Sequence, residues 1–172
     1  MKKFFADSML GKLCRWLRIL GFDCEYAGKD AEDEEVLRKA INSNRILLTR
    51  DEELARKARD YCKAFLVKSN NLENQFAEVA AEFALELKPL SKRSLCPACG
   101  GEIKRVSKQT VKNHVFPRVF KRHREFWQCT ACGKIYWKGT HWREIKATAA
   151  RIKRLVSRKK PRHQLIKPTS ST

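Results

Sequence analysis

Residues 3–20 read KFFADSMLGKLCRWLRIL, and the change of pattern inside this stretch decides the fold. KFFA is a short apolar run suited to a buried strand, and it stops at Asp7. Met9, Leu10, Leu13, Trp16, Leu17 and Leu20 then recur at helical spacing, with Ser8 as the expected N-cap and Gly21 as the stop. A strand that runs straight into a helix is half of a βαβ unit, and the chain repeats the step outward from here. Residues 24–27 form a second strand candidate. After a loop over 28–32, DEEVLRKAINS gives a helix that buries Val36, Leu37, Ala40 and Ile41, with Asp33 as its cap. RILLT, residues 45–49, is a continuous apolar run of the kind buried on both faces of a parallel sheet. A helix over 51–60, a strand over 63–67 and a last amphipathic helix through Leu72, Phe76, Val79 and Phe83, ended by Pro89, complete the series. The order β-α-β-α-β-α-β-α predicts an α/β fold with a parallel sheet and right-handed crossovers.

The remainder of the 172 residues has another character. Cys96-Pro97-Ala98-Cys99-Gly100 and Cys129-Thr130-Ala131-Cys132-Gly133 share the form Cys-x-x-Cys-Gly. Two thiolates on each tight turn can point at one tetrahedral ion, and the glycine permits the turn's positive φ. A redox pair would stand alone beside a βαβ unit, and an iron-sulfur cluster would use the same four thiolates, but zinc is the expectation. One structural zinc on Cys96, Cys99, Cys129 and Cys132 would hold together a β-rich module of about 50 residues that is too small to bury an adequate core. The seven cysteines are an odd number and their pairing is metal-like, so a reducing, cytoplasmic setting is expected. Cys14, Cys24 and Cys62 read as small buried hydrophobes. No run approaches the roughly 18 apolar residues of a membrane span. The basic and apolar start is interrupted by Asp7, Lys12, Arg15 and Arg18, which reads as mature protein and not as a signal peptide.

The formal charge of +19 is unevenly placed. Residues 1–88 hold 16 basic and 16 acidic residues, whereas 89–172 hold 22 basic and 3 acidic. A neutral module joined to a basic one points to a nucleic-acid partner. Between the cysteine pairs, Lys112, Arg118, Lys121, Arg122 and Arg124 interleave with Phe116, Phe120, Phe126 and Trp127. Cations for phosphates beside rings for unstacked bases are the composition of a single-strand binder, although a small ribbon also needs rings for its own core. His141 and its aromatic neighbours Tyr136, Trp137 and Trp142 either join this surface or pack the ribbon against the first module. On the first helix Lys12, Arg15 and Arg18 recur every third residue. Lys12 and Arg15, near Asp7, are candidates to hold a phosphate, or else the row is a solvated face.

Asp7, Asp33 and Asp51 each follow a strand, directly or through a loop, and ligand sites in open α/β sheets gather at those carboxyl edges. Three converging carboxylates are unfavourable without a cation, and hard oxygen ligands suit Mg²⁺ or Mn²⁺. Metal-assisted phosphodiester hydrolysis is the chemistry such a site serves. Taken singly, Asp33 and Asp51 also begin helices and can serve as plain N-caps. Asp30, Glu34 and Glu52 are neighbouring acids available as accessory ligands.

FFADSMLGKLCRWLRILGFDCEYA, DEEVLRKA, RILLTRDEELARKA and the closing CGKIYWKGTHW together resemble the Mut-seven C-terminal RNase domain family, PIN-like nucleases with an appended zinc ribbon. The resemblance covers residues 3 to about 142. It implies a PIN-like three-layer fold and a Mg²⁺- or Mn²⁺-dependent RNase activity, with acidic positions falling on Asp7, Asp33 and Asp51. Where such sites often carry a fourth acid, this chain has Lys68-Ser69-Asn70-Asn71 and no carboxylate before Glu73.

The expected organisation is therefore a PIN-like domain over 1–89, a zinc ribbon over 95–142 and a basic helical and disordered tail over 143–172. The expected function is metal-dependent hydrolysis of RNA, with RNA, and a ribosome or ribonucleoprotein, as partners. The alternative from another class is a non-catalytic RNA- or ribosome-binding adaptor. A phospho-acceptor aspartate domain, the third reading, explains neither the cysteine pairs nor the basic half.

Overall fold

The computed structural model describes residues 2–87 and 94–158. Four parallel strands, β1 (Lys3–Ala6), β2 (Asp23–Tyr26), β3 (Ile46–Thr49) and β4 (Ala64–Leu66), form one sheet in the order β2-β1-β3-β4. The helices between them are α1 (Gly11–Ile19), α2 (Asp33–Asn42), α3 (Glu52–Ala58) and α4 (Leu72–Glu82). Successive strand side chains alternate between the two faces. Phe4, Ala6 and Leu48 join residues of α1 and α4 in one core, while Phe5 and Leu47 join Val36, Leu37, Ala40, Leu54 and Ala58 of α2 and α3 in the other. Burial on both sides explains why these strands read as unbroken apolar runs.

Two local expectations shift. Asp7, and not Ser8, caps the first turn, because residues 8–10 form a 3₁₀ turn before α1 begins. That turn is pinned by the hydroxyl of Tyr26, which donates to the Ser8 carbonyl at 2.8 Å. Glu32 occupies the cap position of α2, so Asp33 is the first helical residue and its carboxylate is not used as a cap. The C-terminal end of α1 follows the sequence. The N–H of Gly21 bonds the Arg18 carbonyl and that of Phe22 bonds the Leu17 carbonyl, the paired bonds of a Schellman motif.

Beyond residue 94, β5 (Ile103–Val106), β6 (Phe126–Cys129) and β7 (Ile135–Trp137) make an antiparallel sheet in that order, with the short helix α5 (Pro117–Arg122) between β5 and β6. The last described element, α6 (His141–Arg158), packs along α4. Its Ile152 is fully buried in the α1/α4 core, with Ala149 and Val156 against the same cluster, and Arg151 pairs with Glu73 of α4 at 3.1 Å. The basic residues Arg143, Lys146, Lys153, Arg154 and Arg158 stay exposed. An amphipathic helix thus closes over the first domain with its charges outward. Residues 90–94, LSKRS, are the expected linker between the two modules; all of it but Ser94, and the tail beyond Arg158, lie outside the described residues. No helix among the described residues is long and apolar enough to cross a membrane.

Candidate functional site: an acidic sheet edge and a four-cysteine cluster

Because all four strands run parallel, their carboxyl ends share one edge, and the sequence delivers the acids there. Asp7 leaves β1 and is only 3% exposed. One of its oxygens accepts the Ser8 N–H and the other accepts the hydroxyl of Thr49 at 2.8 Å. Thr49, fully buried at the end of β3, also accepts the N–H of Asp51 at 3.0 Å. A single hydroxyl therefore ties two of the three aspartates together. Asp51 caps α3 in the ordinary way, through Oδ1 to the Leu54 N–H at 2.7 Å. Asp33 is exposed at the start of α2. Partial burial, then the negative charges of Asp51 and Asp7, push its carboxyl above the usual range, against the opposing pull of Lys57. All three charges thus act across one space.

They do not crowd onto one point. Among the described residues, the four cysteines are the group of three or more potential ligands that lies within 4.8 Å throughout. Asp30, Glu34 and Glu52 are exposed around the same edge, and Glu34 stands 4.0 Å from Lys57. Glu73 is engaged by Arg151, and Glu78 is held by the loop after β4, through the Lys68 N–H at 2.9 Å and the Ser69 hydroxyl. Lys12 and Arg15 are exposed on α1.

Arg18 leaves their row. It is 6% exposed, and its Nε donates to the Cys24 carbonyl at 2.7 Å. Its Nη1 reaches the carbonyls of Ala98 at 2.9 Å and Pro97 at 3.3 Å, inside the first cysteine turn. The Leu95 N–H bonds the Arg18 carbonyl at 2.8 Å and the Ser94 hydroxyl bonds the Ile19 carbonyl at 2.8 Å. The second module is thereby fastened to the end of α1 and to β2. Trp137 stands apart from this joint, near the ring of His123.

The four cysteine sulfurs meet across the two turns, Cys96 with Cys132 at 3.6 Å and Cys99 with Cys129 at 3.5 Å. A tetrahedron with metal–sulfur bonds of about 2.3 Å has edges of about 3.8 Å, so this cluster can hold one zinc ion with little movement. Gly100 and Gly133 adopt φ of 84° and 71°, the left-handed conformation their motif called for. Donors surround the sulfurs: the Gly101 N–H faces Cys99 and the Tyr136 hydroxyl lies 3.0 Å from Cys96. Burial raises the Cys96 thiol, but the Tyr136 hydroxyl and backbone N–H groups outweigh it and bring it to about 6. At Cys99 the Gly101 N–H favours the thiolate, yet burial and the neighbouring sulfurs push it up to about 12. Four sulfurs this close do not all ionise unaided, which is the electrostatic signature of a cation site.

On the same module Arg118, Lys121, Arg122 and Arg124 are exposed. The rings divide: Phe126 is fully buried, Lys108 covers Phe120 at 4.6 Å and Lys138 covers Trp127 at 5.1 Å, whereas Phe116 is 79% exposed. His141, at the start of α6, is exposed with Nδ1 3.4 Å from Glu144. Sequence reasoning missed Thr49, Tyr26, the contact of Tyr136 with Cys96 and the destination of Arg18. For Thr49 a signal existed, since it closes the apolar RILLT run two residues before Asp51.

A parallel α/β sheet with acids along its carboxyl edge, joined to a four-cysteine module in a basic half, defines the class. The family model described as Mut7-C RNAse domain matches residues 2–149, and the chain belongs to that family. No curated protein and no solved structure matches the chain. The family ties the chain to RNA and to nuclease-like chemistry.

Proposed function

We propose that the protein is a metal-dependent ribonuclease of PIN-like fold whose acidic sheet edge hydrolyses RNA phosphodiester bonds, with a zinc ribbon and basic surfaces holding the strand. The observation that carries the reading is the Thr49 bridge between Asp7 and Asp51, with Asp33 under the charge of both. The donors are hard oxygens that repel one another, as a Mg²⁺ or Mn²⁺ site requires. When bound, the ion supplies a more acidic water and neutralises charge on the phosphate. The chain's own part is orientation. Ser8 and Thr49 fix Asp7, the α3 cap fixes Asp51 with one oxygen free of the cap bond, and Asp33 completes the set from α2. Lys12 and Arg15 on α1, Arg118, Lys121, Arg122 and Arg124 on the ribbon, and His141 bind the RNA backbone, with exposed Phe116 as a stacking platform. The zinc on four cysteines is a closed, structural site.

The test is incubation of the full chain with single-stranded RNA and Mn²⁺. Cleavage that disappears in Asp7→Asn and Asp51→Asn supports the reading, and cleavage that persists in both refutes the assigned site. The spread of the carboxylates beyond 4.8 Å favours a second reading, an RNA- or ribosome-binding adaptor without turnover. Salt-sensitive RNA binding with no cleavage under any divalent cation selects it.

A further inference from the structure

We infer that Arg50, held by Asn70, is a phosphate-binding site for the RNA backbone at the acidic edge, taking the place of a fourth carboxylate. The inference rests on the ribonuclease reading for its substrate. Arg50 stands between Thr49, which bonds Asp7, and Asp51, the α3 cap. Its side chain leaves β3 toward the loop after β4, where Nη2 donates to the amide oxygen of Asn70. Its Nε is buried and has no hydrogen-bond partner. Among the described residues no carboxylate forms an ion pair with it.

Arg45 shows by contrast what a structural guanidinium looks like in this fold. Its Nε is also unpartnered, but Asp23 at 2.8 Å and Glu25 at 2.6 Å neutralise it. Arg50 has an amide only. A partly buried cation with no ion-pair partner among the described residues is unfavourable until an anion arrives. The planar fork of donors on a guanidinium matches the oxygens of a phosphodiester.

The local chemistry also explains Lys68-Ser69-Asn70-Asn71. A carboxylate at Asn70 would neutralise Arg50, whereas the amide aims it and leaves its charge for substrate. The loop is fixed for the purpose, because Glu78 accepts both the Lys68 N–H and the Ser69 hydroxyl, and Asn71 caps α4. The guanidinium at the β3/β4 end would then hold a phosphate whose other side faces the cation that the carboxylates at the β1/β2/β3 end would bind.

The test uses the full chain with its zinc, in buffer without added Mg²⁺ or Mn²⁺ so that nothing is cut, and a fluorescent single-stranded RNA trinucleotide as probe. Arg50→Met is expected to weaken binding at least tenfold and to lower the salt slope by about 0.7, the value for one phosphate of a single strand. Arg50→Lys should recover part of the loss, and Asn70→Ala should weaken binding with the charge retained. In ¹⁵N spectra the Arg50 Nε–H signal, assigned by its absence in Arg50→Lys, should move on adding the trinucleotide. Unchanged affinity and slope, or an Nε–H signal that does not move, overturns the proposal. So does a binding loss that appears only with loss of native melting in both Arg50 variants. Binding is read without cleavage, so a chain that binds through Arg50 but never cuts RNA refutes the nuclease reading alone.

Discussion

Replacing Arg18 by Met keeps the aliphatic stem and removes every side-chain donor that Arg18 contributes to the joint between the two modules, while the Leu95 N–H and Ser94 hydroxyl bonds to α1 remain. Three acceptors lose their partner: the Cys24 carbonyl at 2.7 Å, the Ala98 carbonyl at 2.9 Å and the Pro97 carbonyl at 3.3 Å. A hydrogen bond from a charged donor contributes about 1.5–3 kcal/mol, and contributions within one side chain are not additive. The longest bond is weak, and the site is only 6% exposed, so water does not readily replace the guanidinium. The loss should be about 4 kcal/mol, or about 12 °C in melting temperature at roughly 3 °C per kcal/mol for a chain of this size. Because Pro97 and Ala98 lie inside the Cys96–Cys99 turn, zinc should also be released faster to a competing chelator. Thermal melting by circular dichroism in zinc-replete buffer gives the first number, and a colorimetric zinc-release assay gives the second. Arg18→Lys, which retains the charge but reaches fewer acceptors, should fall between. A fall of less than about 3 °C with unchanged zinc release would refute the claim that Arg18 fastens the ribbon.

Further outcomes concern the acidic edge and the last helix. Thr49→Val leaves Asp7 Oδ2 and the Asp51 N–H without their bridge, and should reduce stability by about 1–3 kcal/mol by denaturant titration and lower cleavage with it. Asp33→Asn should raise the melting temperature at pH 7 in the absence of divalent cations. Its raised pKa means that charging is less favourable folded than unfolded; that penalty is absent below the ordinary value of 3.8, grows as pH rises past it and is complete above the folded value. The advantage of the variant should therefore shrink as pH falls toward 4, and a constant difference across pH would contradict the assigned charge repulsion. Gly101→Ala should lower zinc retention, since its Cβ would sit 2.8 Å from that of Ala131 and 3.0 Å from Cys129 Sγ. Ile152→Ala should destabilise the α/β domain by about 2–5 kcal/mol, whereas removal of residues 159–172 leaves that contact intact.

Much of the architecture is local and was therefore readable. The apolar runs KFFA and RILLT, the helical spacing after Ser8 and the twin Cys-x-x-Cys-Gly turns each state their own conformation within a few residues. What escaped is decided by distant partners. Lys12, Arg15 and Arg18 are indistinguishable by spacing, and what sets Arg18 apart is that the Cys24 carbonyl and a turn about 80 residues later present three carbonyls to it. The bond between Thr49 and Asp7 spans 42 positions and depends on β1 and β3 being neighbours, although they are consecutive neither in sequence nor in the crossover pattern. In α6 the stripe Ala149, Ile152, Val156 is a plain helical signature, but the charge around it conceals that the segment belongs to the core. The N-cap reading fits Asp51 and not Asp33, because a one-residue shift of the helix start frees the carboxylate. Boundaries of that kind are set by packing and not by composition.

The joint also changes how the charge of +19 is counted. Four thiolates on one Zn²⁺ would leave a net charge of about −2, buried on one side against the end of α1. Arg18 donates to the carbonyls of the turn that carries two of those thiolates, and the Tyr136 hydroxyl lies against Cys96. Cation and zinc-thiolate centre would therefore stabilise one another through the backbone between them. Arg18 is withdrawn from the RNA-facing charge, as are Arg45 by Asp23 and Glu25 and Arg151 by Glu73. Under the proposed function, the cations left for RNA would be those that no carboxylate or carbonyl claims: Lys12 and Arg15 on α1, the exposed row on the ribbon, the outer face of α6, and Arg50 at the acidic edge itself. Under that division, neutralising Arg18 should alter stability and zinc retention while leaving the salt slope of RNA binding unchanged, and neutralising Arg50 should do the reverse.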